Sequence, residues 1–376
     1  MDIAWFTDTW LPTRDGVVTS LQSFKEELEK RGHQVYLFAP GTENRDDTEE
    51  NIFYYKGRVF HGYPSYRVPS LFSLLTKRTE RRIANIQPDV IHSHGPAIMG
   101  IHAVKAARSS KAPLLFTYHT MLEDSLHFVT TSPAMQAIVG RLLPIWLKWY
   151  FHRCQGVIAP SHAAAEEISH YSKEPIEVIP TGIDLDRFHQ ADGEMIRARH
   201  ELDGPVILHV GRIVQEKNLD LLVTAAQRIL KEKPDAMFLI VGEGPYTDAV
   251  QQHVEKQGLT EHFLFTGFVP DEELPDYYAA ADVFAFPSTY ETQGIVAIEA
   301  MAAGMPVVAA AARALPELIT DGKTGFLFQP GSADALADAI LDALDADVTA
   351  AARETAATFS TERCTDRLIL YYKRFL

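Results

Sequence analysis

Cysteine is scarce in this chain of 376 residues, which contains only Cys154 and Cys364. Two cysteines cannot form a disulfide framework or a four-cysteine zinc site, and such sparing use suits a reducing compartment. Glycine and proline, at 22 and 21 residues, are too infrequent for a fibrous or wholly disordered protein. We therefore expect a globular protein whose two thiols are free.

Basic residues are outnumbered by acidic ones. The sequence has 35 Lys and Arg against 50 Asp and Glu, a formal net charge of −15. A protein that binds nucleic acid normally presents a basic face that displaces counterions from the phosphates. The charge balance therefore disfavours a nucleic-acid partner.

The sequence also lacks a hydrophobic run long enough to cross a bilayer. The most apolar stretch, residues 137–151, is interrupted by Arg141, Pro144 and Lys148, and it is shorter than the roughly 20 residues that a spanning helix requires. The N-terminus carries Asp2 where a secretory signal would carry basic residues. We expect a cytoplasmic protein that can lie on the inner face of the cell membrane without spanning it.

What is present is an alternation of short apolar runs and helical patterns, which is typical of β-α units around parallel sheets. Two such series flank the Pro- and Gly-containing segment 178–184. We therefore expect an α/β protein with domains of residues 1–183 and 184–360, and a final helix, residues 361–376, that returns to the first domain. The predicted strands are residues 3–7, 34–39, 90–94, 114–118, 157–160, 206–210, 237–241, 263–266, 283–287 and 307–310.

The segment 287–300 carries the strongest functional signal. A helix is predicted to begin near Gly294, whose missing side chain lets an anion approach the N–H groups of the first helical turn. Glu299 would lie roughly 7 Å along the helix axis, within reach of a ribose, and Glu291 would lie at the other end of the anion. Two carboxylates around an anion seat favour a sugar nucleotide. The alternative is that Glu291 only complements the helix dipole and that Glu299 lies at the surface.

A second loop, residues 210–218, follows a predicted strand and supplies Arg212 and Lys217. These two cations could clamp the same diphosphate and neutralise a leaving phosphate. The alternative is that they form ordinary surface ion pairs.

Other motifs resemble parts of cofactor or metal sites but are incomplete. Gly242 and Gly244 begin a dinucleotide-binding fingerprint, yet Thr247 replaces its third glycine. We expect a tight turn there and no nicotinamide cofactor. Metal binding is the less favoured interpretation of two further pairs, Asp184 with Asp186 and His92 with His94, for which capping and structural roles are expected.

The segment 118–127 follows a predicted strand and is rich in histidine and carboxylate residues. Ligands of open α/β sheets bind beyond the carboxyl ends of the strands, so these side chains are candidates for the substrates, with structural hydrogen bonding as the alternative. The candidates are His119 and, for the acceptor, Glu123, Asp124 and His127.

Together these motifs resemble those of the family 4 glycosyltransferases, which have the GT-B fold. Glu291 and Glu299 match the E-x7-E motif of the family, and residues 211–217 and 180–184 match its other landmarks in the same order, over essentially the whole chain. Within the family, the segments 6–20, 117–121 and 291–294 are similar to those of the diacylglycerol α-glucosyltransferases. The resemblance implies two Rossmann-like domains facing each other across a cleft.

The resemblance also implies roles for individual residues. Glu299 would hold the nucleotide ribose, Arg212 and Lys217 the diphosphate, and Glu291 and His119 the transferred sugar. The implied catalytic residues are His119, Glu291, Arg212 and Lys217. Further donor contacts would come from Gly16, Thr292, Gln293, Gly294 and Ile295. Asp15 departs from the pattern, because many members have a second glycine there, and Ser125 stands where lipid-modifying relatives often have Tyr.

The implied reaction transfers a hexose, glucose in the first instance, from a UDP-sugar to a hydroxyl of a membrane glycerolipid, with retention at the anomeric carbon. No nucleophilic carboxylate is evident, which favours same-face attack in which a leaving phosphate oxygen takes the acceptor proton. No essential metal and no tightly bound cofactor are expected. The alternatives are a GDP-mannose-dependent or soluble-acceptor transferase of the same family, a nucleotide-sugar 2-epimerase, and a non-catalytic sugar-nucleotide-binding protein.

The segment 56–82 is basic in an otherwise acidic chain, with seven basic residues and one acidic residue. Val68, Leu71, Phe72 and Leu75 fall at helical spacing, and Pro69 could start the helix. Such a helix would lie in an anionic membrane surface; the alternative is a solvated basic helix with its apolar side in the core. The predicted docking residues are Arg67, Leu71, Phe72, Leu75, Lys77, Arg78, Arg81 and Arg82.

Overall fold

The computed structural model describes residues 1–13, 15–60, 63–119 and 132–376. The chain forms two compact units, which comprise Met1–Gly182 with Thr361–Leu376 (unit 1) and Ile183–Ser360 (unit 2). Each unit is a largely parallel sheet with connecting helices. The predicted α/β fold class is therefore confirmed.

Unit 1 has a sheet whose strands follow the order β3-β4-β2-β1-β6-β7-β8-β9. These strands are β1 (Asp2–Phe6), β2 (Gln34–Gly41), β3 (Arg45–Asp47), β4 (Ile52–Phe60), β6 (Val90–Ser93), β7 (Leu114–Thr117), β8 (Gly156–Ala159) and β9 (Ile176–Val178), and β5 (Tyr63–Pro69) pairs with β4. The connecting helices are α1 (Gly16–Lys30), α2 (Arg78–Ile86), α3 (Ile98–Ser110), α4 (Pro133–Phe151) and α5 (His162–Ile168). The central strands are buried on both faces because both carry apolar side chains, as in β1 from Ile3 to Phe6.

Unit 2 has an all-parallel sheet in the order β12-β11-β10-β13-β14-β15. Its strands are β10 (Val206–Val210), β11 (Met237–Val241), β12 (Phe263–Gly267), β13 (Val283–Phe286), β14 (Val307–Ala310) and β15 (Gly325–Phe328). Its helices are α6 (Leu185–His189), α7 (Glu194–Arg199), α8 (Leu219–Glu232), α9 (Thr247–Lys256), α10 (Leu274–Ala279), α11 (Ile295–Ala303), α12 (Leu315–Leu318), α13 (Ala333–Leu344) and α14 (Thr349–Ala357). The chain order reverses between β10 and β13, and such switch points are where open α/β sheets bind ligands.

The C-terminal helix α15 (Thr361–Lys373) packs on unit 1, as predicted. Its buried face contributes Leu368 and Tyr372 to the core that also contains Trp5 of β1. The Trp5 indole N–H donates a hydrogen bond of 3.2 Å to the Tyr372 hydroxyl. The last helix therefore completes the core of the first unit.

The segment 68–75 does not form the helix that the sequence predicts. Val68 and Pro69 end strand β5, where they pair with Arg58 and Gly57 of β4. A short 3-10 helix, Leu71–Leu75, then leads to α2. The prediction of one amphipathic helix after Pro69 is wrong, because pairing with β4 holds Val68 and Pro69 in an extended conformation and only the short 3-10 helix separates them from α2.

Within the described ranges, no helix is both long enough and apolar enough to cross a membrane.

Candidate functional site

Two βα loops of unit 2 meet beyond the carboxyl ends of the neighbouring strands β10 and β13. The Asn218 side-chain amide donates to the Pro287 carbonyl at 3.1 Å and to Thr289 Oγ1 at 3.3 Å. The Ser288 hydroxyl donates to the Glu216 carbonyl at 3.5 Å. The loop that carries Lys217 is thus fixed against the loop that carries Glu291.

Lys217 and Glu291 form an ion pair in this corner. Lys217 Nζ lies 2.5 Å from Glu291 Oε1, and the two side chains are 20% and 13% exposed. The ammonium group also lies 5.3 Å from the centre of the Phe286 ring, within cation–π distance. The structure therefore brings together the two residues that the sequence places on separate loops, and it shows that each is the other's partner.

The other residues predicted for the donor site lie on the same two loops as Lys217 and Glu291. Arg212 follows Gly211 in the β10 loop and is exposed. Thr292 is half-buried and Gln293 is buried. Both precede Ile295, the first residue of α11.

Gly294 starts helix α11 in a conformation that favours glycine. Its φ is +88°, and a Cβ at this position would lie 2.9 Å from Leu315 Cδ2, so space and backbone conformation both oppose a side chain there. The N–H groups of Ile295 and Val296 belong to the first turn, where a helix offers them no internal acceptor. This end of α11 therefore has the properties of an anion seat.

Glu299 lies one turn further along α11 and contacts helix α10. The Tyr278 hydroxyl donates to Glu299 Oε2 at 2.8 Å. Burial raises the pKa of Glu299, and the hydrogen bond from Tyr278 opposes that rise. Nothing in the sequence motif predicts Tyr278 as the partner of this carboxylate.

Gly242 and Gly244, which follow β11, allow their loop to approach the backbone of the loop after β10 closely. A Cβ on Gly242 would lie 2.0 Å from the Gly211 carbonyl oxygen, and one on Gly244 would lie 2.2 Å from the Ile213 carbonyl oxygen. The Ile213 N–H donates to the Glu243 carbonyl at 3.1 Å. These glycines therefore support the loop that carries Arg212.

In unit 1, Gly16 is the first residue of α1, and Asp15 caps that helix. The Asp15 carboxylate accepts a hydrogen bond of 2.9 Å from the Val18 N–H and another from the Tyr66 hydroxyl. Asp15 thus has a structural use at a position where a second glycine would cap the helix less well.

Asp8 is a half-buried carboxylate that no sequence motif singles out. It accepts hydrogen bonds of 2.9 Å from the N–H groups of Ala97 and Met99 at the start of α3. Burial raises the pKa of Asp8 to about 6, although the two backbone N–H donors lower it. The sequence signal for such a carboxylate is the start of α3 at residues 95–98, which has no capping side chain of its own and therefore needs an acceptor from elsewhere in the chain.

His92 has the structural role that was expected. Because the Trp5 N–H can only donate, the Tyr372 hydroxyl accepts from it and donates its own hydrogen to His92 Nδ1, at 2.6 Å. The protonated Nε2 of His92 then donates to Thr117 Oγ1 at 2.7 Å. Burial lowers the pKa of His92 to about 3, so the ring is neutral at pH 7.

His94 and His119 lie at the carboxyl ends of β6 and β7 and bond to each other. His94 Nδ1 is 3.0 Å from His119 Nε2. Burial lowers the pKa of His119 to about 4 and that of His94 well below its usual range. At pH 7 the pair is neutral, so one ring donates and the other accepts.

Three acceptor candidates, Glu123, Asp124 and His127, lie outside the described residues.

The Asp184 carboxylate caps α6, accepting from the Asp186 N–H at 3.1 Å. In the parts of the chain that the structure describes, no three His, Cys, Asp or Glu side chains are grouped as metal ligands.

Glycosyltransferase family models match both units of the chain. The family model described as Glycosyltransferase Family 4 matches residues 14–187, and the model described as Glycosyl transferases group 1 matches residues 193–359. The chain is 32% identical to an alpha-monoglucosyldiacylglycerol synthase of Streptococcus pneumoniae, over 92% of this chain and 78% of that protein.

Two further similarities bear on the nucleotide and on the fold. A GDP-mannose-dependent alpha-(1-6)-phosphatidylinositol monomannoside mannosyltransferase of Mycobacterium tuberculosis is 38% identical, over 90% of this chain and 88% of that protein. The structure of a sucrose-phosphate synthase from Thermosynechococcus elongatus superposes with a TM-score of 0.80 at 25% identity, covering 99% of this chain and 98% of that one.

Proposed function

This chain belongs to glycosyltransferase family 4 and is a hexosyltransferase, and we propose that it transfers its hexose to a hydroxyl of a membrane glycerolipid. The curated relatives support a lipid acceptor, since the names of two of them specify a diacylglycerol and a phosphatidylinositol product or substrate. The proposed enzyme acts at the cytoplasmic face of the membrane and needs no essential metal and no tightly bound cofactor.

The contact between Lys217 and Glu291 is the observation that carries the proposed donor site. It lies beyond the carboxyl end of the sheet, at the switch point between β10 and β13, beside the start of α11. A cation and a helix N-terminus together favour a diphosphate. In our proposal Arg212 and Lys217 bind the diphosphate with the N–H groups that follow Gly294, and Glu299 holds the ribose.

The remaining roles in the proposal concern the transferred sugar. Glu291, relieved of Lys217 by the incoming phosphate, accepts hydrogen bonds from the sugar, with Thr292 and Gln293 beside it. His119 of unit 1 is proposed to contact the sugar and Gly16 to border the donor. Transfer then proceeds with retention, as the leaving phosphate oxygen takes the acceptor proton and the cations stabilise the charge that develops on it.

Two donors remain in the proposal. UDP-glucose is favoured by the similarity to the glucosyldiacylglycerol synthase, which covers 92% of this chain. GDP-mannose is the second candidate, because the mannosyltransferase relative shares the higher identity of 38%. Both nucleotides present the same ribose and diphosphate to Glu299, Lys217 and Arg212, so the site chemistry proposed above serves either.

Membrane docking is proposed to depend on the exposed apolar turn, which we define as Leu71, Phe72 and Leu75. These side chains are 67%, 77% and 79% exposed. The basic set near the turn is smaller than the sequence suggested, because Arg78 and Arg82 both pair with Asp46. Arg67, Lys77 and Arg81 remain as the proposed contacts to anionic headgroups.

The test is an assay of the purified chain with UDP-glucose and GDP-mannose, each offered with vesicles containing diacylglycerol or phosphatidylinositol and with soluble sugars. We expect one nucleotide to give a glycolipid with a lipid acceptor. Transfer only to soluble sugars would contradict the lipid acceptor, and conversion of the nucleotide sugar without any acceptor would point to an epimerase.

A further inference from the structure

Helix α10 places one hydroxyl against the carboxylate of Glu299. The Tyr278 oxygen is 2.8 Å from Glu299 Oε2, and its second neighbour, the Val296 carbonyl oxygen, is more distant at 3.4 Å. A tyrosine hydroxyl has one hydrogen, which the shorter distance assigns to the carboxylate.

The Tyr278 ring has little freedom to turn away. It is 1% exposed and packs edge to face on Phe188, with ring centres 5.6 Å apart, and against Phe284 at 5.8 Å. Phe188 comes from α6 and Phe284 from β13, so two elements besides α10 itself fix the position of the hydroxyl. Packing of this kind holds the donor in one place before any ligand arrives.

A glutamate side chain, by contrast, rotates about its terminal torsion, and this torsion has no sharply preferred angle. An ionised carboxylate offers about four lone-pair positions on its two oxygens. When a fixed donor occupies one lone-pair position on Oε2, rotation of the carboxylate is restricted. The other oxygen, Oε1, then points in one direction. A pair of vicinal hydroxyls, such as those of a ribose, requires a carboxylate in one orientation.

We propose that Tyr278 is a positioning residue for nucleotide recognition, which orients the Glu299 carboxylate towards the ribose hydroxyls. This inference rests on the proposed role of Glu299 and adds a residue outside the E-x7-E motif. The hydroxyl of Tyr278 itself does not touch the nucleotide. Its effect is therefore confined to ligands that carry the ribose hydroxyls.

The charged groups around Glu299 are compatible with this role. Burial raises the pKa of Glu299, and Asp271, which precedes α10, adds to this rise. The hydrogen bond from Tyr278 and the positive charge of Arg187 in α6 lower the pKa and so oppose the effect of burial. The positioning hydroxyl and the guanidinium thus both favour the ionised form that accepts hydrogen bonds from a diol.

The experiment measures affinity for UDP and GDP and for their 2′,3′-dideoxy analogues in the full chain, by calorimetry. Tyr278→Phe removes only the hydroxyl. For whichever nucleotide the wild type binds, we expect it to weaken binding of the ribose form about tenfold, equivalent to about 1.4 kcal/mol, and to leave the dideoxy form unchanged. Tyr277→Phe is the matched control, since Tyr277 is the neighbouring buried tyrosine and its hydroxyl bonds to His200 Nε2 at 3.2 Å instead.

Glu299→Gln separates the inference from the function on which it rests. If that variant keeps the wild-type preference for the ribose form, the proposed role of Glu299 is wrong. If it loses the preference while Tyr278→Phe binds as the wild type does, only the role of Tyr278 is overturned. Equal weakening of both ligand forms by Tyr278→Phe would also overturn it, because a general packing defect does not depend on ribose hydroxyls.

The double variant supplies a second measurement. In the Glu299→Gln background, Tyr278→Phe should cause no further loss of affinity, because the group that Tyr278 orients is already altered. A further tenfold loss there would show that the tyrosine acts independently of Glu299 and would contradict the inference.

Discussion

Lys217 and Glu291 neutralise each other, with Lys217 Nζ 2.5 Å from Glu291 Oε1 at the meeting point of two loops. A diphosphate that binds Lys217 must compete with this carboxylate. The pair therefore links the two proposed tasks of the site, because occupation of the cation by phosphate releases the glutamate for the sugar.

Replacement of Lys217 by Ala should weaken binding of the donor nucleotide. A hydrogen bond to a charged group is worth about 1.5 to 3 kcal/mol, so we expect a loss of roughly 10- to 150-fold in affinity by calorimetry. Arg212→Ala should act in the same direction. Lys233→Ala is the control, because Lys233 belongs to the same unit and pairs with Asp345 at 3.2 Å on the surface. Unchanged nucleotide affinity in both site variants would contradict the donor assignment.

Glu291→Gln should separate binding from turnover. It removes an anion that competes for Lys217, so nucleotide affinity should stay the same or rise. Turnover should fall much further, because the lost contact matters most when charge develops on the transferred sugar. Parallel loss of both quantities would show that Glu291 serves only to hold the loop.

Retention is the stereochemical prediction of the proposed mechanism. NMR of the product at early times should show the same anomeric configuration as the donor sugar. An inverted product would refute same-face attack and would call for a general base that activates the acceptor from the opposite side of the sugar.

The elements that the sequence predicts well are those whose pattern is local. β10, β11 and β14 have the predicted bounds, because a strand buried on both faces is a short continuous apolar run. The start of α11 at Gly294 is also predicted from the local sequence, since a helix that begins with a positive φ favours glycine at that position.

The elements that were missed depend on contacts between distant segments. The β4–β5 hairpin mixes basic and apolar residues, and only pairing with β4 reveals that Val68 is in a strand. The sequence places Arg78 and Arg82 among the membrane-docking residues, yet Asp46, which lies more than 30 residues earlier, pairs with both. The contact of Tyr278 with Glu299 likewise depends on how α10 packs against α11, and no spacing rule predicts it.

The exposed apolar turn should control binding to anionic vesicles. Leu71, Phe72 and Leu75 changed together to Ser should greatly reduce co-sedimentation, because insertion of each apolar side chain is worth about 1 to 2 kcal/mol. Changing Lys77 and Arg81 to Ser should mainly weaken the dependence on anionic lipid and on salt.

A matched control uses exposed apolar residues elsewhere in the chain. Met195 and Leu370 are 56% and 61% exposed, and their change to Ser should leave vesicle binding as it is. If the wild type does not bind anionic vesicles at low salt, membrane docking is wrong and a soluble acceptor becomes the better proposal.

The buried histidines should make the fold sensitive to acid. Burial lowers the pKa of His102, His119 and His209 to about 4 each and that of His92 to about 3. An unfolded histidine titrates near 6.5, so below that pH the unfolded chain binds more protons than the folded one. Stability is then fully present above pH 6.5 and declines as the pH falls towards 4. Asp8, whose pKa burial raises to about 6, acts in the opposite direction and offsets part of this decline.

His209 offers the cleanest single test of this dependence. Its Nδ1 donates to the Ala285 carbonyl at 3.0 Å, a bond that the amide of Asn can replace, so His209→Asn removes a titrating ring with limited change in packing. Each proton bound only on unfolding contributes about 1.4 kcal/mol per pH unit. Between pH 6 and 5, the urea-derived free energy of unfolding of the variant should therefore fall less steeply than that of the wild type by about this amount. Between pH 7.5 and 8.5 the His209 ring is neutral in both the folded and the unfolded chain, so the free energies of unfolding of variant and wild type should depend on pH in parallel. A constant difference between them at every pH would mean that His209 contributes packing alone.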